Sequence, residues 1–211
     1  MRAMAPRIVR PAAILLLAAA GASSLPAQRL LIGPQLTLNV PTRDFLQARS
    51  GYRARFETTA GVRAAGLVRL TRHAGVIVHG FVAQPDYRSG TTPQSLPDRT
   101  PGRTAGVGLQ ITGLTAVGSR STAMLAVGPT WFRQRTLEVL TQKHWHSYSS
   151  WGISATAGVH YLLGPHFFGQ VELTYHTYRS DVPPIPLDTE HPGRRQHDLV
   201  FAVGIAYGTS R

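Results

Sequence analysis

From Arg29 to Gly208 the chain runs in segments of about 10 to 15 residues in which apolar and polar positions alternate. Successive side chains of a strand point to opposite faces, so this period of two predicts β-strands, each with one apolar and one polar face. The pattern predicts eight: Arg29 to Val40, Arg53 to Leu70, Gly75 to Tyr87, Arg103 to Leu114, Thr122 to Arg135, Tyr148 to Leu163, His166 to Arg179, and Gln196 to Gly208. In the last of these Leu199, Phe201, Val203, Ile205 and Tyr207 share one face, and Asp198, Val200, Ala202, Gly204 and Ala206 the other. In the second, Glu57, Arg63 and Arg69 fall on one parity, opposite Phe56, Val62, Val68 and Leu70. The third, around Val76 to Val82, is apolar on both faces and leaves its parity open.

The connections alternate in length. Thr71 to Ala74, Thr115 to Ser121 and Gly164-Pro165 are short, whereas Pro41 to Tyr52, Arg88 to Gly102, Thr136 to His146 and Ser180 to Arg195 are long. Short turns at one end and long loops at the other are the habit of transmembrane barrels, whose long loops face outside. The polar parity is mostly Gly, Ala, Ser, Thr and Gln, and the sequence has one lysine, Lys143. A soluble barrel of the lipocalin kind, with an apolar cavity, would carry many Lys and Glu on its outer face. Small residues suit instead the crowded interior of an eight-stranded barrel.

The first residues are of another kind. Arg2, Arg7 and Arg10 precede the apolar stretch Pro11 to Gly21 and the small residues up to Ala27. This is the pattern of a secretory signal peptide, residues 1–27, cleaved after Ala27. Its apolar core is about half of the ~20 residues a helical span needs. Residues 28–211 then form one barrel domain, an all-β, antiparallel up-and-down arrangement. Charged residues make up 15% of the chain, against about 25% in soluble domains. The chain has no cysteine, which excludes a disulfide framework, a thiolate metal site and a lipoprotein anchor. Its net charge is +12, but the basic residues are not gathered on one helix or groove, so nucleic acid is not an expected partner.

Trp151 and Tyr161 lie on one face, ten residues apart, which spans about 25 Å along the normal of a tilted strand, the height of an outward apolar band. With Trp131, Tyr175 and Tyr207 they form the expected aromatic girdle.

On these features the chain resembles the small outer-membrane barrels, the family of the outer membrane protein A transmembrane domain. The resemblance rests on the signal, the eight segments, the loop alternation and the closing strand Leu199-Val-Phe-Ala-Val-Gly-Ile-Ala-Tyr-Gly. It implies a bacterial outer-membrane location, contact with outer-membrane lipid including lipopolysaccharide, and handling by periplasmic chaperones and the barrel-assembly machinery. Tyr207 is followed by Gly208-Thr-Ser-Arg211, so an aromatic assembly signal would be displaced inward.

The lumen parity carries Glu57, Arg63, Arg69, His160, Glu172, His176 and Asp198, with His79 added. Charges inside a narrow barrel need partners, so a salt-bridge network that plugs the lumen is expected, ahead of a gated pore or proton path. The rival activity is lipid A hydrolysis. The deacylase pattern wants a Ser two residues after a His, and here His176-Thr-Tyr178 puts Tyr in that place. No catalytic residue, cofactor or metal is expected; His144 and His146 alone are a weak ligand set. Arginine forks bind phosphate, and Arg133, Arg135 and Arg179, next to the girdle, are the expected contacts to anionic lipid. The function expected is therefore structural or surface interaction, without catalysis.

Overall fold

A computed structural model describes residues 30–42, 46–47, 53–90, 100–137, 145–179 and 195–208. The expected signal peptide, Lys143 and His144 lie outside them, as does the side chain of His146. The strands are β1 (Leu30–Pro41), β2 (Leu46–Gln47), β3 (Arg53–Phe56), β4 (Thr59–Arg69), β5 (Ala74–Ala83), β6 (Asp86–Gly90), β7 (Thr100–Ala116), β8 (Ser121–Leu137), β9 (Trp145–Leu162), β10 (Phe167–Arg179) and β11 (Arg195–Gly208).

Neighbours in the wall are neighbours in sequence, all antiparallel. β3 continues β4 and β6 continues β5, so the wall has eight strands and closes where β11 pairs with β1. A path of paired residues that leaves β1 at Leu30 passes Val68, Val76, Ile111, Val127, Ala155, Tyr175 and Leu199 and re-enters β1 at Val40. That stagger of ten residues over eight strands tilts the strands by about 40°. Closure leaves no sheet edge unpaired, which is what permits a sheet to sit in lipid.

β1 and β8 each carry a Gly-Pro step. Paired residues skip from Ile32–Tyr207 to Gln35–Gly204 beside Pro34, and from Gly108–Thr130 to Ile111–Val127 beside Pro129. Proline has no N–H to give the ladder. The glycine before it accepts a close approach. A Cβ on Gly33 would lie 2.1 Å from the Ile205 carbonyl oxygen, and one on Gly128 2.0 Å from that of Leu109. The two interrupted seams are four strands apart, on opposite sides of the barrel.

One expectation about parity fails. Phe56 was expected on the outward face with Val62 and Val68, yet it is buried inside, whereas Val62 is exposed. The cause is a bulge. Gly61 pairs with Ala83, but Phe56 pairs with Tyr87, a register one residue different. β5 and β6 keep a single register against β7, so the extra residue lies between β3 and β4. The Glu57 amide donates to the Asp86 carbonyl (2.8 Å), and the Thr59 hydroxyl to that of Gln84 (3.2 Å). A bulged residue flips the alternation of all residues beyond it.

The strand bounds also move outward. β7 begins at Thr100, β8 runs to Leu137 and β9 begins at Trp145, so two of the expected long loops are partly wall. β2 lies within the segment expected to be the first long loop. The short turns and both ends of the described chain share one rim, the one that faces the periplasm in outer-membrane barrels; the longer connections leave the other.

The outer wall is apolar around its circumference. Ile111 is 73% exposed and its neighbour Gln110 0%. This inverts a soluble barrel and rules out the lipocalin-like alternative. No helix among the described residues is long and apolar enough to cross a membrane; the strands make the crossing.

Candidate functional site: the filled lumen and its outer rim

The lumen has three levels. At the periplasmic end Leu31, Leu67, Ile77, Leu114, Met124, Ala126 and Ala206 form an apolar cluster against which Phe168 packs. Small and branched side chains from alternate positions fill the bore there, which is only wide enough for side chains.

The middle level is polar. Arg63 on β4 reaches across to Glu172 on β10, with Nη1 2.7 Å from Oε2. The same Arg63 nitrogen donates to the Thr174 hydroxyl (3.3 Å), and Gln35 Nε2 donates to Glu172 Oε1 (2.8 Å). His160 Nε2 lies 3.4 Å from Glu172 Oε1. Glu172 therefore joins β1, β4, β9 and β10 through one carboxylate. Gln110 extends the network by donating to the Thr156 hydroxyl (3.0 Å), which lies 3.0 Å from that of Thr174.

The upper level is aromatic. Phe132 stacks on Tyr178 with centroids 4.1 Å apart, and Phe81 stacks on His176 at 5.3 Å. Glycines on β7 make the room: a Cβ at Gly106 would meet the Phe81 ring at 2.4 Å, and one at Gly108 the His79 ring at the same distance. The Tyr178 hydroxyl donates to Asp198 Oδ2 (2.8 Å) and accepts from Gln134 Nε2 (3.0 Å); Gln196 Nε2 donates to Asp198 Oδ1 (3.0 Å). A cavity of about 30 Å³ opens here, bounded among others by Phe56, Glu57, Phe81, His176, Tyr178 and Asp198. It has room for a water or two.

Of the residues expected in the lumen, Arg63, His79, His160, Glu172 and His176 are buried inside. Asp198 is half-buried and held at the upper level. Arg69 is half-buried, and its Nη2 donates to the Thr122 hydroxyl (3.2 Å) rather than joining Glu172. Glu57, displaced by the bulge, stands at the mouth. Asp198 belongs to the tyrosine cluster, and His176 bonds to Ser154, whose carbonyl accepts from Gln110 Nε2 (3.1 Å). Sequence reasoning did not single out Gln35, Gln110, Thr130, Gln134, Ser154, Gln170 and Gln196 as site residues; Ser154, Gln170 and Gln196 share the parity of His160, Glu172 and Asp198 on their own strands, whereas β1, β7 and β8 carry no inward charge to mark the other four.

Ser154 Oγ lies 2.6 Å from His176 Nδ1, a contact the sequence pattern does not suggest. The same hydroxyl is 2.6 Å from that of Thr130 and is 0% exposed. No carboxylate among the described residues bonds to His176.

On the outside, Trp151, Tyr161, Tyr175 and Tyr207 are exposed, and Trp131 is half-exposed and paired with Trp151. Tyr175 contacts His197 through its hydroxyl. Phe167, edge-to-face with Tyr207, completes the periplasmic side. Above Trp131 the outward positions of β8 are Arg133 and Arg135, and Arg135 faces Arg103 of β7. Arg103 and Arg135 both lie over the Trp145 ring, at 5.4 and 5.7 Å from its centroid. Arg179 sits on β10 opposite Arg195, two strands away from Arg133 and Arg135 of β8.

No protein family matches the chain, and no curated protein matches it in sequence. Solved structures do. The outer membrane protein OprG of Pseudomonas aeruginosa aligns over 88% of this chain and 97% of its own, with TM-score 0.61 and 13% identity. Neisserial surface protein A covers 85% of this chain and 96% of its own, with TM-score 0.56 and 10% identity. Ail, the attachment invasion locus protein of Yersinia pestis, solved with the heparin analogue sucrose octasulfate, covers 86% and 97%, with TM-score 0.50 and 10% identity. Likenesses at this identity speak for the fold. Together with the closed wall and the apolar outer belt, they establish the fold: a small closed eight-stranded β-barrel with the architecture of these outer-membrane proteins.

Proposed function

We propose that this barrel is closed to solutes, carries no catalytic machinery, and acts through its outer surface. The observation that carries this reading is the filled lumen. Three levels close it in series: the apolar cluster, the Arg63–Glu172 network, and the Phe132–Tyr178 stack. A solute would have to displace all three. The side chains of the apolar cluster offer no hydrogen bond to an ion or water.

The Ser154–His176 contact does not favour hydrolysis. Nucleophilic catalysis needs a hydroxyl that substrate can reach and a base oriented by a third group. Ser154 is sealed in the wall's interior and shared with Thr130.

The test is single-channel recording of the refolded barrel in planar bilayers. No steady conductance is expected. Large, persistent openings would overturn the reading.

A further inference from the structure

We propose that Arg103 and Arg135, which lie over Trp145 of β9 on the outward faces of β7 and β8, together with Arg133 below them, bind the phosphate of an outer-leaflet glycolipid. This deepens the surface-acting reading by naming its partner's chemistry.

The first support is charge. Arg103 and Arg135 stand directly opposite each other across the β7–β8 ladder, where like charges repel. Arg133 lies two residues below on the same face. All three are exposed, and among the described residues none of them pairs with a carboxylate. An anion placed between them would relieve the repulsion.

The second support is orientation. Both guanidiniums near Trp145 lie over its ring, so the indole holds them in place by cation–π attraction. A guanidinium so held keeps its planar fork of N–H donors, which matches phosphate oxygens two at a time. Ser147 and Ser149, opposite Arg135 and Arg133 on β9, add exposed hydroxyls beside the forks.

The third support is height. Below the arginines the outward residues of β8 are Trp131, Pro129, Val127 and Leu125, in the apolar belt. At ~3.3 Å per residue and a tilt near 40°, Arg133 and Arg135 stand about 5 and 10 Å above Trp131. That is headgroup level, on the rim of the longer connections. A lipid whose acyl chains lie on the belt would present its phosphate there, whereas a soluble anion gains nothing from the belt. Arg179, expected in this site from the sequence, lies on β10 opposite Arg195, two strands from the β8 arginines, and is left out of it.

The experiment uses the full-length mature barrel refolded in phosphatidylcholine nanodiscs. Native mass spectrometry counts bound lipid A, lipid A stripped of its phosphates, and inorganic phosphate. The wild type is compared with R103Q/R133Q/R135Q and with R135K, each first shown to be folded by heat-modifiable gel mobility. Lipid A should bind the wild type, with apparent affinity reduced about 10-fold or more in the triple variant and less in R135K, which keeps charge but loses the fork. Dephosphorylated lipid A should bind both equally weakly. Inorganic phosphate at millimolar concentration should not displace lipid A. Equal lipid A binding by wild type and triple variant overturns the proposal, as does dephosphorylated lipid A that binds the wild type as tightly as lipid A itself. Displacement by inorganic phosphate would overturn the lipid as the source. None of these outcomes bears on conductance, so the site and the closed lumen can fail separately.

Discussion

Arg63 and Arg135 are the same residue type in opposite settings. Arg63 is 4% exposed in the bore, where Glu172 meets it at 2.7 Å. Arg135 is exposed on the outer wall, where its partners are an aromatic ring and another arginine. In the bore a lone guanidinium would be prohibitively costly, so a carboxylate from the far side of the barrel accompanies it. On the rim water and salt screen the charge, so an unmatched cluster is tolerated. The difference teaches where function can reside. The buried charges are paired with each other, Arg63 Nη1 with Glu172, and link β4 to β10 across the bore. The exposed ones retain unspent hydrogen-bonding capacity toward something outside the chain.

Glu172→Leu should break this comparison most severely. It leaves Arg63 buried without its counter-charge and removes the acceptor of Gln35. A loss of about 3–5 kcal/mol is expected, read from urea unfolding of the refolded barrel in detergent micelles. A loss under about 1 kcal/mol would mean that the pair does not hold the bore together.

The double variant Arg63→Met with Glu172→Leu sharpens the point. Replacing a buried ion pair by apolar groups of similar volume is often nearly neutral. It should recover most of the single variant's loss in the same titration. The remainder falls to Gln35 and His160, which lose their contact with the carboxylate. If the double variant is no more stable than Glu172→Leu, the cost lies in lost packing rather than in an orphaned charge.

The smallest effect is expected at the rim. Trp145→Ala removes two cation–π contacts at an exposed position, worth under about 1 kcal/mol in neutral detergent. Its unfolding midpoint should nearly coincide with the wild type's. A loss as large as that at Glu172 would make Trp145 part of the wall's stability and erase the contrast.

Much of this barrel follows from residue order alone. Alternation assigns Leu199, Phe201, Val203, Ile205 and Tyr207 to lipid because a strand can turn only every second side chain to one face. Loop lengths assign the two rims, and the inward charges stand out by parity. Parity ceases to be a guide where the backbone gains a residue. Phe56 and Glu57 were misplaced for that reason, since the bulge between β3 and β4 depends on how those strands meet their neighbours.

Partnership is equally invisible in the sequence. Arg63 and Glu172 are 109 residues apart, and no local pattern joins them. They meet because the closed wall has a stagger of ten residues, which fixes which side chains share a height in the bore. Register between neighbouring strands brings His176 to Ser154 and Tyr178 to Asp198, and Tyr178 reaches Gln134 across β9. Residue order thus determined the faces, through the two-residue period of the strand. Closure and register, which are properties of all the strands together, decided who faces whom.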